Sequence, residues 1–136
     1  MSFLVDANVL CEAIRPRPDA KVLAWLDRHD ATLHASTLTL AEILKGIRLL
    51  APGRKRRALE NWFEELVASF AGRIVPFDED ACRAWAAFYA RHERKGRSLP
   101  SFDSLLAATA LAHGHTIATR NVRDFPDDVP VVNPWA

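Results

Sequence analysis

The feature that most constrains this chain is a repeated change of period along it. Short β-rich apolar runs, Phe3-Leu4-Val5, Leu33-His34-Ala35, Ile74-Val75, Thr116-Ile117-Ala118 and Val131-Val132, alternate with longer stretches whose apolar residues recur at helical spacing. Strands joined through helices rather than tight turns pair in parallel, and the helices then cover both faces of the sheet. Helices are expected over about residues 7–14, 20–29, 39–50, 54–70, 78–95 and 102–114. Their punctuation agrees. Pro18-Asp19 opens the second, Thr39 the third, Asp78 the fifth and Ser101 the sixth, and Gly114 closes the last. Two stripes are expected in the core: Trp62, Phe63, Leu66, Val67 and Phe70 on one helix, and Cys82, Trp85, Ala86 and Tyr89 on another.

With 136 residues, no linker and no internal repeat, the chain is expected to form one domain over residues 1–136. The formal net charge of +1 offers no general attraction to nucleic acid, so any phosphate contacts must come from positive charge gathered on one face. Cys11 and Cys82 lack a CxxC partner or a nearby histidine pattern and are expected to be small buried thiols in a reducing cytoplasm. The first residues show neither a basic leader nor a cleavage site, and no apolar run reaches the length of a membrane span, so neither secretion nor membrane insertion is expected.

Four places carry acids where chemistry is expected. Asp6 directly follows the first apolar run, at the carboxyl end of a strand, where open α/β sheets bind ligands. Glu42 lies just beyond the second run, within the first turn of the third helix, Asp103 opens the Ala-rich stretch Leu105-Leu106-Ala107-Ala108-Thr109-Ala110, and Asn121 and Asp124 follow the fourth run. Each has a structural explanation as well. Asp6 can cap the helix after it, Thr39-x-x-Glu42 is a capping-box pattern, Asp103 suits the positive end of a helix dipole, and Asn and Asp are turn formers. What joins them is position: all fall where a strand gives way to a helix or loop.

Carboxylates gathered at one edge repel one another and hold their protons tightly unless a cation neutralises them. Hard oxygen donors without paired His or Cys point to Mg²⁺ or Mn²⁺, and an ion so held can orient a water and neutralise charge developing on a phosphate. Phosphodiester hydrolysis is the reaction that fits. His29, His34, His92, His113 and His115 lie on different elements and are expected at or near the surface, outside any metal set. No nucleophilic Ser or Cys motif, GxGxxG or Walker loop is present. Transfer through an aspartyl phosphate is disfavoured, because Asn8 stands where a haloacid-dehalogenase-like site needs a second Asp. Arg54-Lys55-Arg56-Arg57 is the densest positive run; Arg120 and Arg123 are better placed for phosphate because they flank the acids.

The segments Leu4-Val5-Asp6-Ala7-Asn8-Val9-Leu10, Ser36-Thr37-Leu38-Thr39-Leu40-Ala41-Glu42, Gly72-Arg73-Ile74-Val75-Pro76-Phe77-Asp78, Asp103 with its Ala-rich helix, and Ala118-Thr119-Arg120-Asn121-Val122-Arg123-Asp124-Phe125 running to Val132-Asn133-Pro134-Trp135 occur in that order. Together they resemble the PIN-domain ribonucleases, in particular the VapC-like toxins of the FitB-like type. The resemblance implies a three-layer α/β/α sandwich on a mostly parallel sheet and a Mg²⁺-dependent (or Mn²⁺-dependent) endonuclease acting on RNA in the cytoplasm. It also implies a VapB-like antitoxin as partner, operator DNA reached through that antitoxin, and a homodimer.

Asp6, Glu42 and Asp103 match the family's most reliable acids and are the expected metal ligands. Many relatives have Asp where Asn121 stands, so the fourth position falls to Asn121 as a neutral ligand, to Asp124, or to neither. Asn121 is favoured, with Asp124 expected to hold the loop by capping or turn hydrogen bonds. Two functions remain open at this point: a ribonuclease toxin, favoured by the three acids, and a weakly active scaffold working mainly with a DNA-binding antitoxin in promoter regulation, favoured by Asn121.

Overall fold

The computed structural model describes all 136 residues. Its sheet has five strands, β1 (Phe3–Val5), β2 (Leu33–Ser36), β3 (Ile74–Val75), β4 (Thr116–Ala118) and β5 (Val131–Val132), all parallel in the order β3-β2-β1-β4-β5. Six α-helices connect them: α1 (Ala7–Leu10), α2 (Ala20–Arg28), α3 (Thr37–Arg48), α4 (Arg54–Ser69), α5 (Glu79–Arg94) and α6 (Ser101–His113). The chain winds outward from β1 to β3 on one side, returns, and winds outward again through β4 and β5. The reversal lies between β1 and β4, the place where open α/β sheets leave a crevice at the carboxyl ends of their strands.

Successive residues of a strand point to opposite faces, and β1 sorts the core accordingly. Phe3 and Val5 join Ala35 and Ala118 in a cluster with Val22 and Trp25 of α2, Leu40, Ile43 and Ile47 of α3, and Phe63 of α4. Leu4 and Ile117 face the other way, onto Phe88 of α5 and Leu106, Ala107 and Ala110 of α6. Helices therefore cover both faces, giving the three-layer α/β/α sandwich. Burial of Leu4, Val5, Val9, Val22 and Phe88, each 1% exposed or less, stabilises the fold by about 1.5–3 kcal/mol per side chain. No helix is long and apolar enough to cross a membrane.

Several local expectations need correction. The stretch from 7 to 14 is one α-helical turn that tightens into a 3-10 turn over Cys11–Ile14. Helix α3 starts at Thr37, capped by Ser36, whose Oγ accepts the Leu38 N–H at 3.0 Å, so Thr39 is a buried interior residue and no capping box forms. A Ser directly after a buried strand reaches the first free N–H groups sooner than Thr39 can. Pro100, not Ser101, occupies the cap position of α6. On α5 the inward stripe is Ala81, Phe88 and His92, with Trp85 and Tyr89 half-buried and Cys82 and Ala86 exposed. Cys11 is only partly buried, and His92, expected near the surface, is 3% exposed. The α4 stripe is as expected, with Phe63 and Phe70 buried and Trp62, Leu66 and Val67 packed beside them.

Gly114 ends α6 at φ +73°, a left-handed cap that non-glycine residues adopt at a cost, and turns the chain directly into β4. Small residues on α6 let it lie close to the sheet. Ala107→Leu should therefore overpack the Leu4–Ile117 face and cost about 1–3 kcal/mol, read as a lowered urea midpoint with unchanged m-value.

Candidate active site

The register that pairs Val5 with Ala118 brings the next residue of each strand, Asp6 and Thr119, together at the carboxyl edge. The Asp6 N–H donates to the Ala118 carbonyl at 2.9 Å and the Thr119 N–H to Val132 at 3.0 Å, carrying the ladder one step past the strands. Asp6 is 8% exposed, and both of its carboxylate oxygens are held. Oδ1 accepts the Ala7 N–H at 2.8 Å, so Asp6 does cap α1, and Oδ2 accepts the Thr119 hydroxyl at 2.8 Å. The Thr119 hydroxyl oxygen in turn accepts the Asn121 N–H at 3.0 Å, and the Asn8 side chain spans both strands, its amide oxygen accepting the Arg120 N–H at 3.3 Å. A carboxylate with two short hydrogen bonds has a fixed orientation and lone pairs still free to face outward.

Thr119 and Asn8, not among the expected site residues, hold Asp6 and the start of the loop after β4 in place. Their signal was available: Thr119 follows an apolar strand as Asp6 does, and in adjacent parallel strands equivalent ends meet.

Glu42 sits well inside α3, so capping does not explain it, and its carboxyl is raised above the ordinary range by burial and by the negative charge of Asp6, with Lys45 offsetting part of the effect. Asp103 is in the first turn of α6, a helix locked at its start by Ser104, whose Oγ donates to the Ser101 carbonyl at 2.7 Å and accepts the Trp85 indole N–H at 3.0 Å. Its carboxyl is raised to about 6, first by burial and then by the charges of Asp6, Asp124 and Glu42. The structure thus brings Asp6, Glu42 and Asp124 within electrostatic reach of Asp103, and none of the four forms an ion pair with Lys, Arg or His.

Asp124 does not hold its loop as expected. Its carboxylate makes no hydrogen bond there; the backbone closes the turn instead, the Asp124 N–H donating to the Asn121 carbonyl at 3.0 Å. Asn121 is exposed at the head of the same turn.

The donor set suits a hard divalent cation: carboxylate oxygens whose charge Lys45 offsets only in part, no imidazole, and a neighbouring Cys11 thiol pushed up by burial and by the charges of Glu42 and Asp6. No three acidic, His or Cys side chains converge closely enough in this structure to share an ion. The histidines lie elsewhere. His34 and His115 stack at 4.4 Å, His113 meets Asp78 at 3.0 Å, and His92 meets Asp128 at 3.2 Å.

The raised carboxyl of Asp103 fixes the sign of a pH effect. An acid that binds its proton more tightly when folded stabilises the fold below its unfolded pKa and loses that contribution as pH rises through about 6. Asp103→Asn should therefore be more stable than the parent at pH 7.5, by on the order of 1 kcal/mol after solvent screening, and should lose this advantage by about pH 4. Urea titrations of both proteins at the two pH values, without divalent ions, check it.

Comparison with known proteins agrees with this fold. Residues 3–127 match the PIN domain family. The chain is 38% identical over 136 residues to Toxin FitB of Neisseria gonorrhoeae, covering 98% of each, and 37% identical to VapC ribonuclease Y4jK of Sinorhizobium fredii, covering 98% of this chain and 97% of the relative. The crystal structure of FitAcB from Neisseria gonorrhoeae superposes with a TM-score of 0.91 over 98% of each chain at 38% identity. Agreement of that extent, in sequence and in backbone over nearly the whole of both molecules, makes this chain a member of the PIN-domain family.

Proposed function

We propose that the protein, acting as one domain over residues 1–136, is a Mg²⁺-dependent RNA endonuclease in the cytoplasm and the toxin of a toxin–antitoxin pair. The observation that carries this reading is the set of four acids without ion-pair partners, Asp6, Glu42, Asp103 and Asp124, at the β1–β4 reversal, in a chain whose relatives are named ribonucleases and toxins. Mn²⁺ has the same oxygen preference and would serve in its place.

Asp6, Glu42 and Asp103 would hold the cation, with Asp124 as the fourth carboxylate and Asn121 as a neutral oxygen donor beside it. The bound ion supplies charge neutralisation at the scissile phosphate and a more acidic attacking water. Asp6, clamped by Ala7 and Thr119, keeps its orientation whether or not charge accumulates beside it. In-line attack forms the new P–O bond from water while the ribose oxygen leaves with its electron pair, and a carboxylate of the cluster takes the water's proton. No Lys or His is paired with the four acids to replace the cation.

An apolar groove of about 410 Å³ runs from the acids between α1 and α3–α4, lined by Cys11, Ile14, Ile43, Ile47 and Trp62, with Glu42 on its wall. It fits the apolar stretch of a small antitoxin whose neighbouring basic side chain, an Arg by its bidentate geometry, would reach the carboxylates and exclude substrate. The solved FitAB assembly is bound to DNA; the same arrangement here would put operator DNA within reach through the antitoxin.

Purified protein should cleave RNA in Mg²⁺, stop in excess EDTA, and lose roughly a hundredfold or more of its rate in Asp6→Asn. Sequencing of RNA 5′ ends after controlled expression of both forms locates the target. A folded parent that leaves RNA intact in Mg²⁺ while still forming a DNA-bound antitoxin complex would establish the scaffold reading instead.

The fourth position separates by metal titration. Asp124→Asn removes a charge that Asp103 feels and should raise the Mg²⁺ concentration for half-maximal cleavage; Asn121→Asp adds one and should lower it. If Asp124→Asn leaves the titration unmoved, Asp124 is not part of the metal set.

A further inference from the structure

In the expected basic patch and Arg48 before it, Arg54, Lys55 and Arg57 pair with no acid, while two cations are engaged. Arg48 and Arg56 pair with Glu60 at 3.3 and 3.6 Å, Arg56 also donates to the Leu50 carbonyl, and Arg91 is held by Asp128. Arg97 and Arg123 are exposed and pair with no acid, and they line the same open groove of about 480 Å³. Its walls are residues 97–100, which lead into the helix of Asp103, and residues 123–126, which include Asp124.

This groove is held together from beneath. His92, 3% exposed, binds both walls: its backbone carbonyl accepts the Arg97 N–H at 2.9 Å, and its ring Nε2 lies 3.2 Å from each carboxylate oxygen of Asp128, just past the second wall. Leu99 of the first wall and Phe125 of the second pack into the same apolar cluster. The backbones that carry the two arginines are therefore anchored to the same buried region.

A polyanion approaching four carboxylates is repelled, and a net charge of +1 cannot offset that at a distance. Attraction has to come from free cations beside the acids. The acid cluster is bordered on one side by the apolar groove at Glu42 and on the other by this polar one at Asp124. An apolar peptide suits the first, and a phosphate backbone suits the second.

We propose that the groove between residues 97–100 and 123–126 is a backbone track for the RNA strand, in which Arg97 and Arg123 pair with phosphates on one side of the scissile bond. The inference rests on the ribonuclease reading and adds the path of the substrate. Arg97 and Arg123 bind and position; they take no part in bond making.

Binding of a short fluorescein-labelled single-stranded RNA to Asp6→Asn in Mg²⁺ tests it. Adding Arg97→Ala or Arg123→Ala should weaken affinity about 3–10-fold each and reduce the slope of log affinity against log salt by about 0.7 per residue. Adding Arg54→Ala, Lys55→Ala and Arg57→Ala together should change affinity less than about twofold. Shortening the RNA from one end only should abolish the effect of Arg97→Ala. Circular dichroism verifies that each variant is folded, and Arg97→Lys should recover part of the loss if charge is what matters.

A folded Arg97→Ala, Arg123→Ala protein with undiminished RNA affinity overturns the track and leaves the ribonuclease reading standing. The same result with weakened antitoxin binding assigns the groove to a protein partner and overturns it as well. A parent protein that neither binds nor cleaves RNA overturns both readings.

Discussion

The hydrogen bond from Thr119 to Asp6 joins β1 to β4 at the one place where the winding of the sheet reverses. Everything at the carboxyl edge is arranged around it. The bond exists because Val5 pairs with Ala118, and that register is in turn set by alternation: Phe3, Val5 and Ala118 face one helical layer while Leu4 and Ile117 face the other. A slip of one residue would turn every one of these side chains to the wrong layer and part Asp6 from Thr119. The rigidity of the acid site is therefore inherited from the core.

Around that fixed carboxylate the fold gathers negative charge it does not balance. Glu42 comes from α3 on one face of the sheet, Asp103 from α6 on the other, and Asp124 from the turn after β4. Burial and the neighbouring charges raise the Asp103 carboxyl to about 6, so keeping it ionised at neutral pH costs stability. A bound cation would relieve that repulsion, and under the proposed ribonuclease reading the free Arg97 and Arg123 would supply the attraction that a substrate phosphate needs.

Much of this could be read from residues alone, for definable reasons. The strands were legible because each is a short apolar run, and buried parallel strands show this pattern without alternation. Asp6 was legible as a candidate from its place after a strand and Asp103 from its place at a helix start, whereas Glu42 stands inside α3 and was picked out by its distance from the second strand. The start of α3 was misread because Thr39-x-x-Glu42 satisfies a local rule that Ser36 preempts by standing closer to the strand. Cys82 and Ala86 were assigned inward because helical spacing gives a period and leaves the phase of the stripe open; the phase is set by α6, which packs against Phe88. The Thr119–Asp6 bond and the burial of His92 against Asp128 depend on residues more than thirty positions apart, and no local pattern carries that information.

The claim that most of the chemistry depends on is that these acids share one cation. Calorimetric titration of Mg²⁺ into the protein at pH 6, in two buffers of different ionisation enthalpy, measures it directly, because the proton held by Asp103 must leave when the ion binds. Release of a substantial fraction of a proton per bound ion, disappearing in Asp103→Asn, is the expected result. Mg²⁺ binding without proton release, or with release that Asp103→Asn leaves unchanged, would contradict a shared acidic site.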